Sequence, residues 1–134
     1  MGSTTIEYRR LPGTRAAIGR SGNHYVIADR PPGRDGGMGL GFNGGELLAF
    51  ALGGCLCNDL QSVAHEMNAS IEELHVSVTV DFEGHPTLAT RARLSVDCTL
   101  ADGSDPSELI DRAKAQSTIS NSLKAAMSVQ IERA

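Results

Sequence analysis

The chain has 134 residues, a formal charge of −4, and 40% hydrophobic against 21% charged residues, the balance of a soluble globular protein with a single domain over 1–134. Aromatic residues make up 4% and Trp is absent, so the stacking platforms and the basic face that nucleic-acid binding requires are both missing. No run of 18 or more apolar residues occurs, and MGSTTIEYRR at the start contains no apolar signal segment, which predicts a cytoplasmic protein without a membrane partner.

In chain order, Ile6 and Tyr8 mark a short first strand. After Pro12-Gly13, residues 14–19 and 24–29 read as two strands of a hairpin around the turn formers Arg20-Ser21-Gly22-Asn23. The stretch RPPGRDGGMGLGF, residues 30–42, is too irregular for either period and predicts a long mobile loop, placed where it could cover a substrate.

Asn43 to Asn68 then reads as one long helix. Leu48, Leu52, Leu56, Leu60, Val63 and Met67 recur at spacings of four and three, a single apolar stripe. Asn43 and Glu46 are spaced as a capping box, and Asn68 is suited to the left-handed conformation of a helix stop. In the middle stands Gly53-Gly54-Cys55. Each glycine costs about 1 kcal/mol relative to Ala while allowing close approach of another group. Cys55 shares its helix face with Asn58, Asp59 and Ser62 as well as Leu52, a mixed surface suited to a cleft or an interface.

Beyond the helix, residues 74–83 and 87–100 alternate as a long hairpin turned by Gly84-His85-Pro86. Val76, Val78, Val80 and Phe82 face inward, with Leu88, Ala92, Leu94, Val96, Cys98 and Leu100 on the same face. Asp105-Pro106-Ser107-Glu108 predicts a capped second helix, and Met127, Val129 and Ile131 alternate as a closing strand. The order β-β-β-α-β-β-α-β favours an α+β fold.

Three cysteines, Cys55, Cys57 and Cys98, make no even disulfide framework and predict free thiols in a reducing compartment. Cys57 points roughly 200° around the helix from Cys55, so the two cannot bridge, and it reads as core, as does Cys98. The four histidines show no metal-ligand spacing, so no metal site and no bound cofactor are expected. Neither a phosphate-binding loop nor a nucleophile elbow is present.

Two motifs now carry a resemblance. Glu46-Leu47-Leu48-Ala49-Phe50-Ala51-Leu52-Gly53-Gly54-Cys55 resembles the central-helix signature of the OsmC/Ohr superfamily, and Ser117-Thr118-Ile119-Ser120-Asn121-Ser122-Leu123 is similar to that family's second motif. Gly19-Arg20-Ser21-Gly22 also resembles the arginine motif of the Ohr branch. The resemblance implies an intertwined α+β homodimer, with antiparallel sheets packed around the long central helix. It also implies thiol-dependent reduction of organic hydroperoxides in the oxidative stress response. Cys55 then matches the reactive cysteine and Arg20 the arginine beside it, while Arg15 and Arg34 remain alternatives for that arginine. Ser117 and Glu46 support the site. The second, resolving cysteine of the family falls on Ser117, which implies a one-cysteine cycle completed by an external small thiol or lipoyl reductant. The Ohr glutamate that holds the arginine falls on Gly45, one residue before Glu46. Two other readings stay open, non-catalytic binding of an apolar or thiol-reactive small molecule in the interface cleft, and a structural dimer with a vestigial site.

Overall fold

A reciprocal capping box opens the long helix α1, Gly44–Glu66. Asn43 Oδ1 accepts the Glu46 N–H at 2.9 Å, and Glu46 Oε1 accepts the Asn43 N–H at 3.1 Å, satisfying donors that a helix start would otherwise leave orphaned. At the far end Asn68 takes φ +54°. The Asn68 N–H donates to His65 O at 3.2 Å and the Ala69 N–H to Ala64 O at 2.8 Å, the paired closure around a left-handed residue that the sequence led one to expect.

The computed structural model describes residues 2–134. In chain order, β1 (Glu7–Arg10), β2 (Ala17–Ser21) and β3 (His24–Ala28) precede α1, and β4 (Ile71–Glu83), β5 (Leu88–Leu100), α2 (Ser107–Gln116) and α3 (Thr118–Lys124) follow it. The chain divides into two compact units, Met1–Leu48 and Ala49–Ala134.

In the first unit β1, β2 and β3 form an antiparallel sheet in that order. Ser21 pairs with His24, so the β2–β3 turn is the two residues Gly22-Asn23. The φ of +59° at Gly22 is the glycine-requiring conformation of a tight hairpin. The stretch 30–41 is a loop, as expected, and it is tied down by hydrogen bonds. Its ends are tied where Asp29 N–H donates to Phe42 O at 3.0 Å and Phe42 N–H to Ile27 O at 2.8 Å. A Cβ at Gly41 would lie 1.9 Å from Ile27 O, so this approach exists only because residue 41 has no side chain. The loop interior hangs on the buried Asp29, 9% exposed, whose carboxylate accepts the N–H groups of Arg30 (2.8 Å), Met38 (3.1 Å) and Leu40 (3.0 Å). Periodicity could not show this, because one carboxylate and the backbone hydrogen bonds of irregular turns, such as Gly37 N–H to Arg34 O at 2.8 Å and Gly39 N–H to Arg30 O at 3.0 Å, stand in for a repeating pattern.

In the second unit the apolar stripe of α1 meets the β4–β5 ribbon and α2. Leu60, Val63, Leu109 and Ala113 are wholly buried, with Leu56, Ala64, Cys98 and Leu100 around them. Each fully buried Leu or Val contributes roughly 1.5–3 kcal/mol relative to exposure. By length and composition α1 could cross a membrane, but its stripe is already covered by elements of its own unit, as in a core helix.

Register corrects one expectation. Asp81 pairs with Arg91 but Phe82 with Ala89, so Thr90 is an extra residue and the alternation of β5 flips beyond it. Leu88, expected inward with Leu94 and Val96, instead pairs with Glu83 on the opposite face and is 63% exposed. The start of α2 differs from the capping box read in the sequence: Pro106 is the N-cap, no side chain caps the helix, and Asp105 one residue earlier accepts the Ser107 N–H at 3.0 Å in a local turn. The expected closing strand is absent: residues 125–134 form no strand, and Met127, Val129 and Ile131 are 63%, 74% and 96% exposed. Alternation tells which residues would share a face, but a strand also needs a hydrogen-bonding neighbour.

The Leu40 N–H foremost, then those of Met38 and Arg30, holds the Asp29 carboxyl below its usual 3.8 against the opposing effect of burial. A depressed folded value gives stability that is complete above the unfolded value and is lost as pH falls through the folded one. The amides of Met38 and Leu40 are therefore expected to be protected from hydrogen exchange near pH 6 and to lose protection below about pH 4. In Asp29→Asn they should exchange faster at pH 6, and unchanged exchange would refute this role.

Candidate functional site

Cys55 sits on the flank of α1 between buried and open faces, half-buried itself, with Leu52 and Leu56 in the core on one side and exposed Gly54 on the other. The two glycines before it differ in purpose. A Cβ at Gly53 would lie 2.9 Å from Val78 Cγ2, so β4 approaches α1 through the missing side chain, whereas a Cβ at Gly54 would meet nothing within 4 Å.

Two polar groups meet the Cys55 sulfur. One helical turn on, Asp59 Oδ2 accepts from Cys55 Sγ at 3.6 Å, as i,i+4 neighbours can. From the other direction Ser117 Oγ donates to Cys55 Sγ at 3.8 Å. Ser117 is 2% exposed and stands at the break between α2 and α3, with extended angles φ −65° and ψ 107°. Asn121 holds that break: its Nδ2 donates to Ala115 O at 3.0 Å and its N–H to Ser117 O at 2.9 Å. The sequence motif from Ser117 to Leu123 is thus the device that ends one helix, starts another, and turns a serine inward at the kink.

Cys57 is half-buried rather than core as expected, and Cys98 is buried; all three thiols are free. Burial, assisted by the neighbouring Asp97 charge, pushes the Cys98 thiol up and keeps it protonated. Two arginines of the second unit are engaged elsewhere, Arg93 with Asp81 and Arg112 with Glu66. Asp59 was visible in the sequence only as a residue on the Cys55 face; the spacing of four was the signal that could have singled it out.

The remaining candidates lie in the first unit. The Arg20 guanidinium rests 5.9 Å from the ring centroid of Tyr25, its cross-strand partner, a cation–π geometry. Glu46 is engaged in the capping box. Arg15 packs against Gly36 and lines an open groove with Asp29, Arg30, Asp35, Phe42 and Asn43; Arg30 pairs with Asp35 at 3.5 Å. Arg34 is exposed on the loop. The groove holds cations but no nucleophile. Among the described residues no group of three or more His, Cys, Asp or Glu gathers to hold a metal ion.

The family model for OsmC-like protein matches residues 36–132. No curated protein matches the chain. Among solved structures, the chain is similar to an OsmC-like protein from Mycoplasma pneumoniae (18% identity, TM-score 0.77, covering 93% of this chain and 89% of that one). It is also similar to an organic hydroperoxide resistance protein OsmC from Legionella pneumophila (17%, 0.63, 92% and 90%). A third similar structure is an organic hydroperoxide resistance protein from Elizabethkingia anophelis (20%, 0.63, 93% and 91%). At these identities the structures speak for the fold, and together with the family match over most of the sequence they establish that the chain belongs to the OsmC-like family.

Proposed function

We propose that the protein reduces organic hydroperoxides at Cys55 by a one-cysteine cycle. The observation that carries this reading is the half-buried Cys55 sulfur held between Ser117 and Asp59 at the end of the family's helix motif. The sulfur of Cys55 attacks the terminal oxygen of the peroxide, the O–O bond breaks, an alcohol leaves, and Cys55 becomes a sulfenic acid. Two equivalents of an external thiol, or one small or lipoyl dithiol, then return the sulfenic acid to the thiol with release of water and formation of a disulfide. Ser117 lacks the sulfur that would close this second step within the chain. Its hydroxyl instead donates to the Cys55 sulfur and so stabilises negative charge there. Arg20 is the proposed electrostatic partner, with Arg15 and Arg34 as the alternatives, and Glu46 supports the site by fixing the start of α1.

The reading extends to assembly and setting. Two copies form a homodimer that covers the apolar residues one chain leaves open, among them Phe50, Phe82, Met127, Val129 and Ile131; support comes from the unpaired alternating segment at the C-terminal end. The three free thiols favour a reducing, cytoplasmic location.

Cumene hydroperoxide consumption with dihydrolipoamide as reductant is expected to fall to the uncatalysed rate in Cys55→Ser, and equal activity of the two proteins would sink the reading. If neither turns over peroxide while the wild-type protein retains a co-purified small molecule, the site is a ligand-binding one. In Ser117→Cys, stoichiometric peroxide should leave an internal disulfide with Cys55, seen as a loss of two mass units that dithiothreitol reverses; a sulfenic acid persisting there would count against the assigned position of residue 117. Sedimentation equilibrium should return twice 14.1 kDa, and a single-chain mass at micromolar concentration would remove the dimer.

A further inference from the structure

We propose that Asp59 is the proton relay of the Cys55 reaction, taking the thiol proton as sulfur attacks and giving it to the departing alkoxide. The inference rests on Cys55 being the peroxide-reducing nucleophile. Its ground is the arrangement around the sulfur. Ser117 Oγ donates its hydrogen to Cys55 Sγ, so the sulfur is the acceptor on that side. On the other side Cys55 Sγ is the donor and Asp59 Oδ2, at 3.6 Å, the acceptor. The thiol hydrogen is thereby directed at a carboxylate, and one lone pair of the sulfur stays free for the substrate. The carboxylate is held in place by its helix: Leu56 and Leu60, on the turns that carry Cys55 and Asp59, are buried in the core at 4% and 0% exposure. Glu46, the other carboxylate of this helix near the family motif, is occupied by Asn43.

The electron and proton balance closes with these groups alone. The S–H proton passes to Asp59, the sulfur pair forms an S–O bond to the terminal peroxide oxygen, and the O–O bond breaks. Sulfur loses two electrons and the peroxide gains them. The alkoxide then takes the proton back from the Asp59 carboxylic acid, leaving an alcohol, a Cys55 sulfenic acid and the carboxylate as it began. A carboxylate beside a thiolate would ordinarily repel it. Here the proton moves between the two, so the pair carries one negative charge until the O–O bond breaks, when that charge passes to the alkoxide. A general acid–base group of this kind is worth about 100- to 10,000-fold in rate.

The test measures second-order rate constants for consumption of oxidant by the wild-type protein, Asp59→Asn, Asp59→Glu and Cys55→Ser, with two oxidants. One is tert-butyl hydroperoxide, whose alkoxide must be protonated to leave. The other is peroxybenzoic acid, whose carboxylate leaves without a proton. Asp59→Asn should lose about 100-fold with the alkyl hydroperoxide and less than about 10-fold with the peroxy acid, and Asp59→Glu should recover part of the larger loss. Any difficulty in removing the thiol proton is common to both oxidants, so the difference between the losses reports proton delivery. Asp59→Ser should show the same pattern and keeps the test open if the amide disturbs folding. Equal losses with the two oxidants, or no loss with the alkyl hydroperoxide, overturn the relay. If Cys55→Ser is oxidised as fast as wild type, the underlying reading of Cys55 fails instead, which separates the two outcomes.

Discussion

The second unit depends on the burial of one stripe of α1. Leu60 and Val63 retain no exposure, and Leu109 and Ala113 of α2 are equally enclosed. Close packing of that kind leaves little room to rotate α1 about its axis. The stripe therefore decides where the flanking residues go: with Leu52, Leu56 and Leu60 inward, Cys55 and Asp59 fall together at the edge of the core. Gly53 adds the second constraint, since Val78 of β4 occupies the space its side chain would fill. The position of the thiol is a by-product of packing, settled by residues that take no part in chemistry.

The site combines groups of opposite tendency. Ser117 donates to the Cys55 sulfur, whereas Asp59 accepts from it. The sulfur is thus a donor on one side and an acceptor on the other. Cys98, on the same chain, is buried beside Asp97, and burial pushes it toward the thiol form.

Much of this could be read from residue spacing. The stripe of α1, its Asn43–Glu46 start and its Asn68 stop follow from local rules that act within a few residues, and the structure has all three. The family motifs located Cys55 and Ser117 at separate points of the chain, but their approach depends on the α2–α3 kink, which no periodicity encodes. Three features escaped because their causes are not periodic. The 30–41 loop is held by the buried Asp29 carboxylate together with backbone hydrogen bonds of its own turns, the inversion of Leu88 comes from one inserted residue, and the missing closing strand from the absence of a neighbour. Cys57 was read as core from residue type alone, and the turn of α1 that carries it leaves it half in solvent.

The bulge at Thr90 has a geometric consequence at the far end of the β4–β5 ribbon. Before it, one face is apolar and the other polar, as with Val76 and Val96 against Ser77 and Ser95. After it, Phe82 and Leu88 stand on opposite faces, 46% and 63% exposed. A ribbon with a single oily face can be sealed by one layer laid against it. This one ends in a tip that is oily on both sides, so whatever shelters it has to close around it like a socket.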